Sequence, residues 1–136
     1  MGSFSDRLFI KKIAPQQWEI IITFHYVSDE TGLVVTVPSG FVYNQASIPK
    51  IFQSFISKVG YYDQPAAVHD WLYYLNRLGT PICTRKQADL ILKEGCKDKE
   101  KEFKIPWYKR KKAAIYAAVR AWGWLPGLWT SRRKTK

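Results

Sequence analysis

The sequence predicts an α+β protein, with a small antiparallel sheet or meander in the N-terminal half packed against three or four helices in the C-terminal half. Three observations lead there. Runs rich in Ile, Val, Phe, Tyr and Thr, punctuated by Pro, Gly and Ser, fill the first part of the chain. Apolar residues at helical spacing between recognisable caps fill the second. The βαβ alternation of a nucleotide-binding fold is absent, and neither GxGxxG nor GxxxxGK followed by Ser or Thr occurs.

Leu8 to Ile13 and Trp18 to Val27 are the first expected strands, broken apart by Ala14-Pro15. Leu33 to Val37 is a third, joined to the second through Ser28-Asp29-Glu30-Thr31-Gly32, a polar connection of hairpin length ending in Gly. Phe41 to Tyr43, after Pro38-Ser39-Gly40, is a short fourth. Ile48 to Val59 then reads as a helix with Ser47 placed to cap it and Gly60 to end it. Pro65 to Leu78 carries Val68, Leu72, Leu75 and Leu78 on one face and closes at Gly79. Thr84-Arg85-Lys86-Gln87 is a capping box opening a helix through Ala88, Ile91 and Leu92 to about Gly95. After the charged stretch Lys97 to Lys104, Pro106 is expected to start a last helix with Tyr108, Ile115, Val119 and Trp122 on one face, ending near Gly123. Residues 1–123 therefore read as one α+β domain and residues 124–136 as a basic, Trp-rich tail.

At 136 residues, 46% hydrophobic and 24% charged, with six tryptophans, eight tyrosines and seven phenylalanines, the chain has the material for one packed core. The longest uncharged runs, Ala113 to Val119 and Ala121 to Trp129, fall far short of the roughly 20 residues of a membrane span, and no leader segment is seen. Cys83 and Cys96 sit in no CxxC or Cys/His spacing, which points to reduced thiols, no structural zinc and synthesis in the cytoplasm. No cofactor is expected. The net charge of +11 is uneven: residues 1–103 hold 12 basic and 11 acidic residues, whereas residues 104–136 hold 10 basic and none acidic. That segment attracts polyanions, whether nucleic acid or an anionic membrane surface.

Three motifs follow one another in order: Gly40-Phe41-Val42-Tyr43-Asn44-Gln45-Ala46-Ser47-Ile48-Pro49, then Ala66-Ala67-Val68-His69-Asp70-Trp71-Leu72-Tyr73, then Arg85-Lys86-Gln87-Ala88-Asp89. Together they resemble the bacteriophage and prophage family of the domain of unknown function 1353, whose pattern runs G-F-x-T/S-D-x-A-S-I/V-P, A-x-x-H-D-x-L-Y, and a basic residue shortly before A-D. The resemblance covers roughly residues 38 to 125. It marks Asn44, Ala46, Ser47, Pro49, His69, Asp70, Tyr73 and Asp89 as motif positions. Where the family carries an acidic residue this chain has Asn44, so a base or metal ligand supplied there by relatives would be lacking. The resemblance implies a phage-encoded protein, made in the host cytoplasm and carried into the virion if it is a particle component, with other phage structural proteins as partners.

Ser47, His69, Asp70 and Asp89 are the candidates for chemistry, since a nucleophilic serine needs a base and a group to orient that base. Each also has a structural reading. Ser47 fits a helix cap. His69 and Asp70 fit a hydrogen-bonded pair at a helix start, with too few further histidines for a metal site because His25 lies in a strand. Asp89 fits a solvated ion-pair row with Arg85 and Lys93, and Trp71, Tyr73 and Tyr74 fit core and core edge. The structural readings are favoured. At the other end, Lys109, Arg110, Lys111 and Lys112 follow Trp107 and Tyr108, and Trp122, Trp124 and Trp129 precede Arg132 and Arg133. Aromatics beside cations suit a protein-docking hot spot, single-stranded nucleic acid or a membrane interface. The leading expectation is a tail or head-tail component or assembly factor docking through this segment. The alternatives are a small cell-wall or phosphoester hydrolase built around Ser47, His69, Asp70 and Asp89, and an early accessory protein that binds nucleic acid or membrane.

Overall fold

The computed structural model describes residues 2–45 and 48–122. Among them six strands come first: β1 (Ser3–Phe4), β2 (Ile10–Ala14), β3 (Gln17–Ile20), β4 (Phe24–Val27), β5 (Val34–Val37) and β6 (Val42–Tyr43). Four helices follow among the described residues: α1 (Lys50–Val59), α2 (Asp63–Leu78), α3 (Arg85–Glu102) and α4 (Lys112–Trp122), with a 3-10 turn, Trp107–Lys109, before α4. The α+β class read from the sequence is therefore the observed one.

The expected single sheet is two antiparallel three-stranded sheets, ordered β1-β4-β5 and β2-β3-β6. The apolar run from Trp18 to Val27 divides because the chain leaves one sheet at Ile20 and enters the other at Phe24. Between them the Ile21 N–H donates to the Phe9 carbonyl, while Ser39 donates its N–H to Thr23 Oγ1 and its hydroxyl to the Ile21 carbonyl. Alternation then sorts β4 and β5: Phe24, Tyr26, Val35 and Val37 are buried, and His25 and Thr36 face outward, joined by a 2.8 Å cross-strand bond. His25 is thus on the solvent face of a strand.

Gly60 and Gly79 close α1 and α2 in the left-handed conformation, as their positions suggested. The capping box of α3 is complete, with Thr84 accepting from the Gln87 N–H and Gln87 from the Thr84 N–H. Gly95 does not end α3. A Cβ there would meet the Pro65 Cβ at 3.1 Å and the Phe4 ring at 3.3 Å, so the glycine admits a close crossing of α2, and α3 runs on through the charged stretch to Glu102. Its actual stop is Lys104, at φ 53°, after which the Ile105 N–H returns to the Glu100 carbonyl. Glycine is the usual residue at such a reversal, and a lysine there costs about 1–2 kcal/mol.

Two apolar clusters meet across α3. One joins the sheets to α2 and includes Ile20, Phe24, Val37, Leu72 and Ile91; the other lies among the helices and includes Ile56, Tyr62, Leu92, Ile115 and Val119. The last helix starts at Lys112 rather than Pro106, which leaves Tyr108 outside it and exposed, although Ile115 and Val119 are buried as expected. Among the described residues no helix is long and apolar enough to cross a membrane.

Candidate functional site

Asp89 lies one turn into α3 and is fully buried, at 0% exposure. His69 and Tyr73, four residues apart on one face of α2 and equally buried, both reach its Oδ1: His69 Nε2 at 2.7 Å and the Tyr73 hydroxyl at 2.9 Å. An ionised carboxylate only accepts, so Nε2 carries the hydrogen. The other oxygen, Oδ2, takes Arg120 Nη1 from α4 at 3.0 Å and Arg85 Nη1 at 3.4 Å. Arg85 also donates to the Arg120 carbonyl at 3.2 Å. Burial pushes the Asp89 carboxyl up, but the His69 bond and charge, with the Tyr73 and Arg120 donors, outweigh it and hold it below the ordinary carboxylate range.

This corrects the reading of Asp89 as part of a solvated ion-pair row. Asp89 joins three helices instead, and Lys93 turns away from it to lie 5.1 Å above the Tyr116 ring. Arg120 went unnoticed in the sequence, although a lone cation within the apolar run of α4 was the available signal.

Asp70 points elsewhere, as a neighbour about 100° around the helix must. Its Oδ2 accepts the backbone N–H groups of Asn44 (3.2 Å) and Gln45 (2.5 Å), fastening the first motif to the second. The backbone makes these bonds. Gln45 sits in the left-handed region at φ 61°, and Gln53 from α1 donates to the Gln45 and Ile48 carbonyls. Both His69 and Asp70 lie within α2, not at its start, because α2 begins at Asp63. Ala46 and Ser47 lie outside the described residues. The N-cap position of α1 is Pro49, with no side-chain cap bond. Among the described residues no three His, Cys, Asp or Glu side chains gather as metal ligands.

Three other acids of α3 were also missed as anchors. Glu94 accepts from the Ser28 hydroxyl at 2.6 Å and from the Asp29 and Glu30 N–H groups, holding the β4–β5 turn. Asp98 accepts the Tyr26 hydroxyl at 2.7 Å. Glu100 accepts the Tyr62 hydroxyl and the first N–H groups of α4.

Asp63 has a different setting, in the wall of a cavity of about 560 Å³ that Arg7, Gln64 and Lys99 also line. Burial pushes its carboxyl up to about 7. Since the folded state then holds a proton that the unfolded chain has released, stability falls as pH rises from about 4 through 7. Asp63→Asn is expected to raise the melting temperature above wild type at pH 8 and to leave it nearly unchanged at pH 4, as thermal melts in the two buffers will show.

The exposed chemistry lies at the α3–α4 connection. Phe103, Trp107 and Tyr108 are 54%, 80% and 63% exposed. Lys104, Lys109 and Lys111 stand among them with no carboxylate partner among the described residues, while Lys112 pairs with Glu100 at 3.4 Å and Arg110 donates to the Ile105 carbonyl. Trp122 closes α4, and Trp124, Trp129, Arg132 and Arg133 lie outside the described residues.

Residues 18–119 match the model of the family described as protein of unknown function, DUF1353, and the chain belongs to that family. No curated protein and no solved structure matches it.

Proposed function

We propose that this member of the DUF1353 family is a non-catalytic bacteriophage protein, a tail or head-tail component or an assembly factor, that docks onto another phage protein through its aromatic and basic C-terminal quarter. The phage setting rests on the resemblance of the three motifs. The docking role rests on one observation, the exposure of Trp107, whose ring meets Tyr108 at 5.8 Å in a segment that also carries Lys104, Lys109, Arg110 and Lys111. Trp, Tyr and Arg are the side chains enriched at binding hot spots, and a tryptophan 80% exposed contributes little to its own fold.

The hydrolase reading keeps one favourable observation, the 2.7 Å contact of His69 with Asp89, which is the base-and-orienter half of a nucleophilic site. Both groups are fully buried, and Tyr73, Arg85 and Arg120 take up the rest of the carboxylate. That arrangement favours a fastening role over a reactive one.

Trp107→Ala is expected to leave the melting temperature within about a degree of wild type and to weaken docking by about 2 kcal/mol or more, roughly thirtyfold. The measurement is the amount of the chain in purified particles from cells producing the variant. Normal incorporation of the variant, or hydrolysis of peptidoglycan or a phosphodiester by wild type that His69→Ala abolishes, overturns the reading.

A further inference from the structure

Between the C-terminal end of α1 and the α3–α4 connection lies a cavity of about 490 Å³, a size that suits a small planar group. Phe55, Tyr61, Phe103 and Tyr108 line it, the Tyr61 and Phe103 rings lying 6.2 Å apart. Lys104, Lys109 and Lys111 also line it, and no acidic residue does. We propose that this cavity is a binding site for single-stranded nucleic acid, in which a base stacks on Tyr108 and Phe103 while the three lysines hold the flanking phosphates. The site shares Phe103 and Tyr108 with the proposed docking surface, and its test needs no docking partner, so either reading can fail without the other.

Charge complementarity selects a polyanion. The three ammonium groups have no carboxylate partner among the described residues, and no acidic residue follows Glu102 anywhere in the chain. The aromatics narrow the choice, since half-exposed ring faces beside unpaired cations are what unstacked bases and their phosphates require, whereas a duplex keeps its base faces covered. Shape disfavours a membrane, because a bilayer surface is met by projecting side chains and this site is recessed. Lys104 adds an independent observation. It holds a left-handed backbone position where glycine is at ease, and a lysine lines the cavity there at some expense in stability.

The full-length protein is titrated into a fluorescent oligothymidylate of about 20 nucleotides, the matching duplex, and vesicles rich in phosphatidylserine, at about 50 to 300 mM salt. The single strand is expected to bind at least about tenfold more tightly than the duplex. Tyr108→Leu should weaken that binding roughly tenfold without changing the salt slope, and Tyr108→Phe should preserve it. Lys104→Gly with Lys109→Gln and Lys111→Gln should lower the logarithmic salt slope by about 2, at roughly 0.7 for each phosphate no longer neutralised. A melting temperature no lower than wild type excludes unfolding as the cause, and Lys104→Gly alone should raise it. Three results overturn the site: equal binding of strand and duplex with no effect of Tyr108→Leu, which is tail charge alone; binding to vesicles but not to the strand; or no binding of the strand at about 50 mM salt.

Discussion

Asp89→Ala is expected to remove about 3–5 kcal/mol of stability, the range for leaving partners of a buried charge uncompensated and a large fraction of a small domain's total. The loss divides unequally among the four partners. Arg85 and Arg120, with side chains 20% and 32% exposed, can turn to water, so little of it falls on them. His69 and Tyr73 are sealed, and each loses the bond that satisfies a buried donor, at about 1–3 kcal/mol apiece. His69→Ala alone is therefore expected to cost about 1–3 kcal/mol, less than the carboxylate it serves. The pH dependence follows from the depressed pKa of Asp89. Its contribution is fully present above the ordinary carboxylate value and is lost as pH falls through the lower value it has in the fold. Urea denaturation at pH 7 and at progressively lower pH checks both statements: the gap between wild type and Asp89→Ala should narrow only below about pH 4. A gap already closed at pH 6 would mean that the carboxylate is not the group holding the helices.

The sequence was most legible where a local rule had no competitor. The Thr84–Gln87 box, the glycines ending α1 and α2, and the polar β4–β5 turn each depend on residues within a few positions of one another, and all stand as read. The misreadings came where a distant partner decided. Gly95 looked like a stop because glycine destabilises a helix interior, but Pro65 and Phe4 occupy the space its missing side chain leaves. The stretch after it was read only as charged, because nothing in its neighbourhood shows that Tyr26, Tyr62 and the start of α4 will meet Asp98 and Glu100. The same blindness affected the site. Asp89 had its i–4 arginine in view, whereas His69, Tyr73 and Arg120 came from other helices, 20, 16 and 31 residues away. The meeting of Asn44 and Gln45 with Asp70 is made by backbone N–H groups, which leave no mark in a pattern of side chains.

Glu100 gives the second large effect, for a reason that lies in α4 rather than in α3. The helix α4 begins at Lys112 with no acidic residue in its first turn, so its opening N–H groups need an acceptor from elsewhere. Glu100 supplies it from α3: Oε2 accepts the Lys111 N–H at 3.0 Å, the Lys112 N–H at 3.1 Å and the Tyr62 hydroxyl at 2.5 Å, and the Lys112 ammonium stands 3.4 Å from Oε1. A buried negative charge at the positive end of a helix combines a cap with the dipole interaction. Glu100→Ala is expected to cost about 3–5 kcal/mol, and Glu100→Gln about 1–2 kcal/mol, since the amide oxygen can still accept while the charge is gone. The loss should be concentrated in α4, whose amides should exchange with solvent by local opening well before those of α2 and α3. Once α4 lifts away, Arg120 leaves Asp89 as well, so the two carboxylates are coupled through one helix. The double variant Asp89→Ala with Glu100→Ala should then lose less stability than the two single losses added together, by more than about 0.5 kcal/mol. Strict additivity in urea denaturation would show that α4 stays docked without Glu100, its hold coming from Ile115 and Val119 in the core.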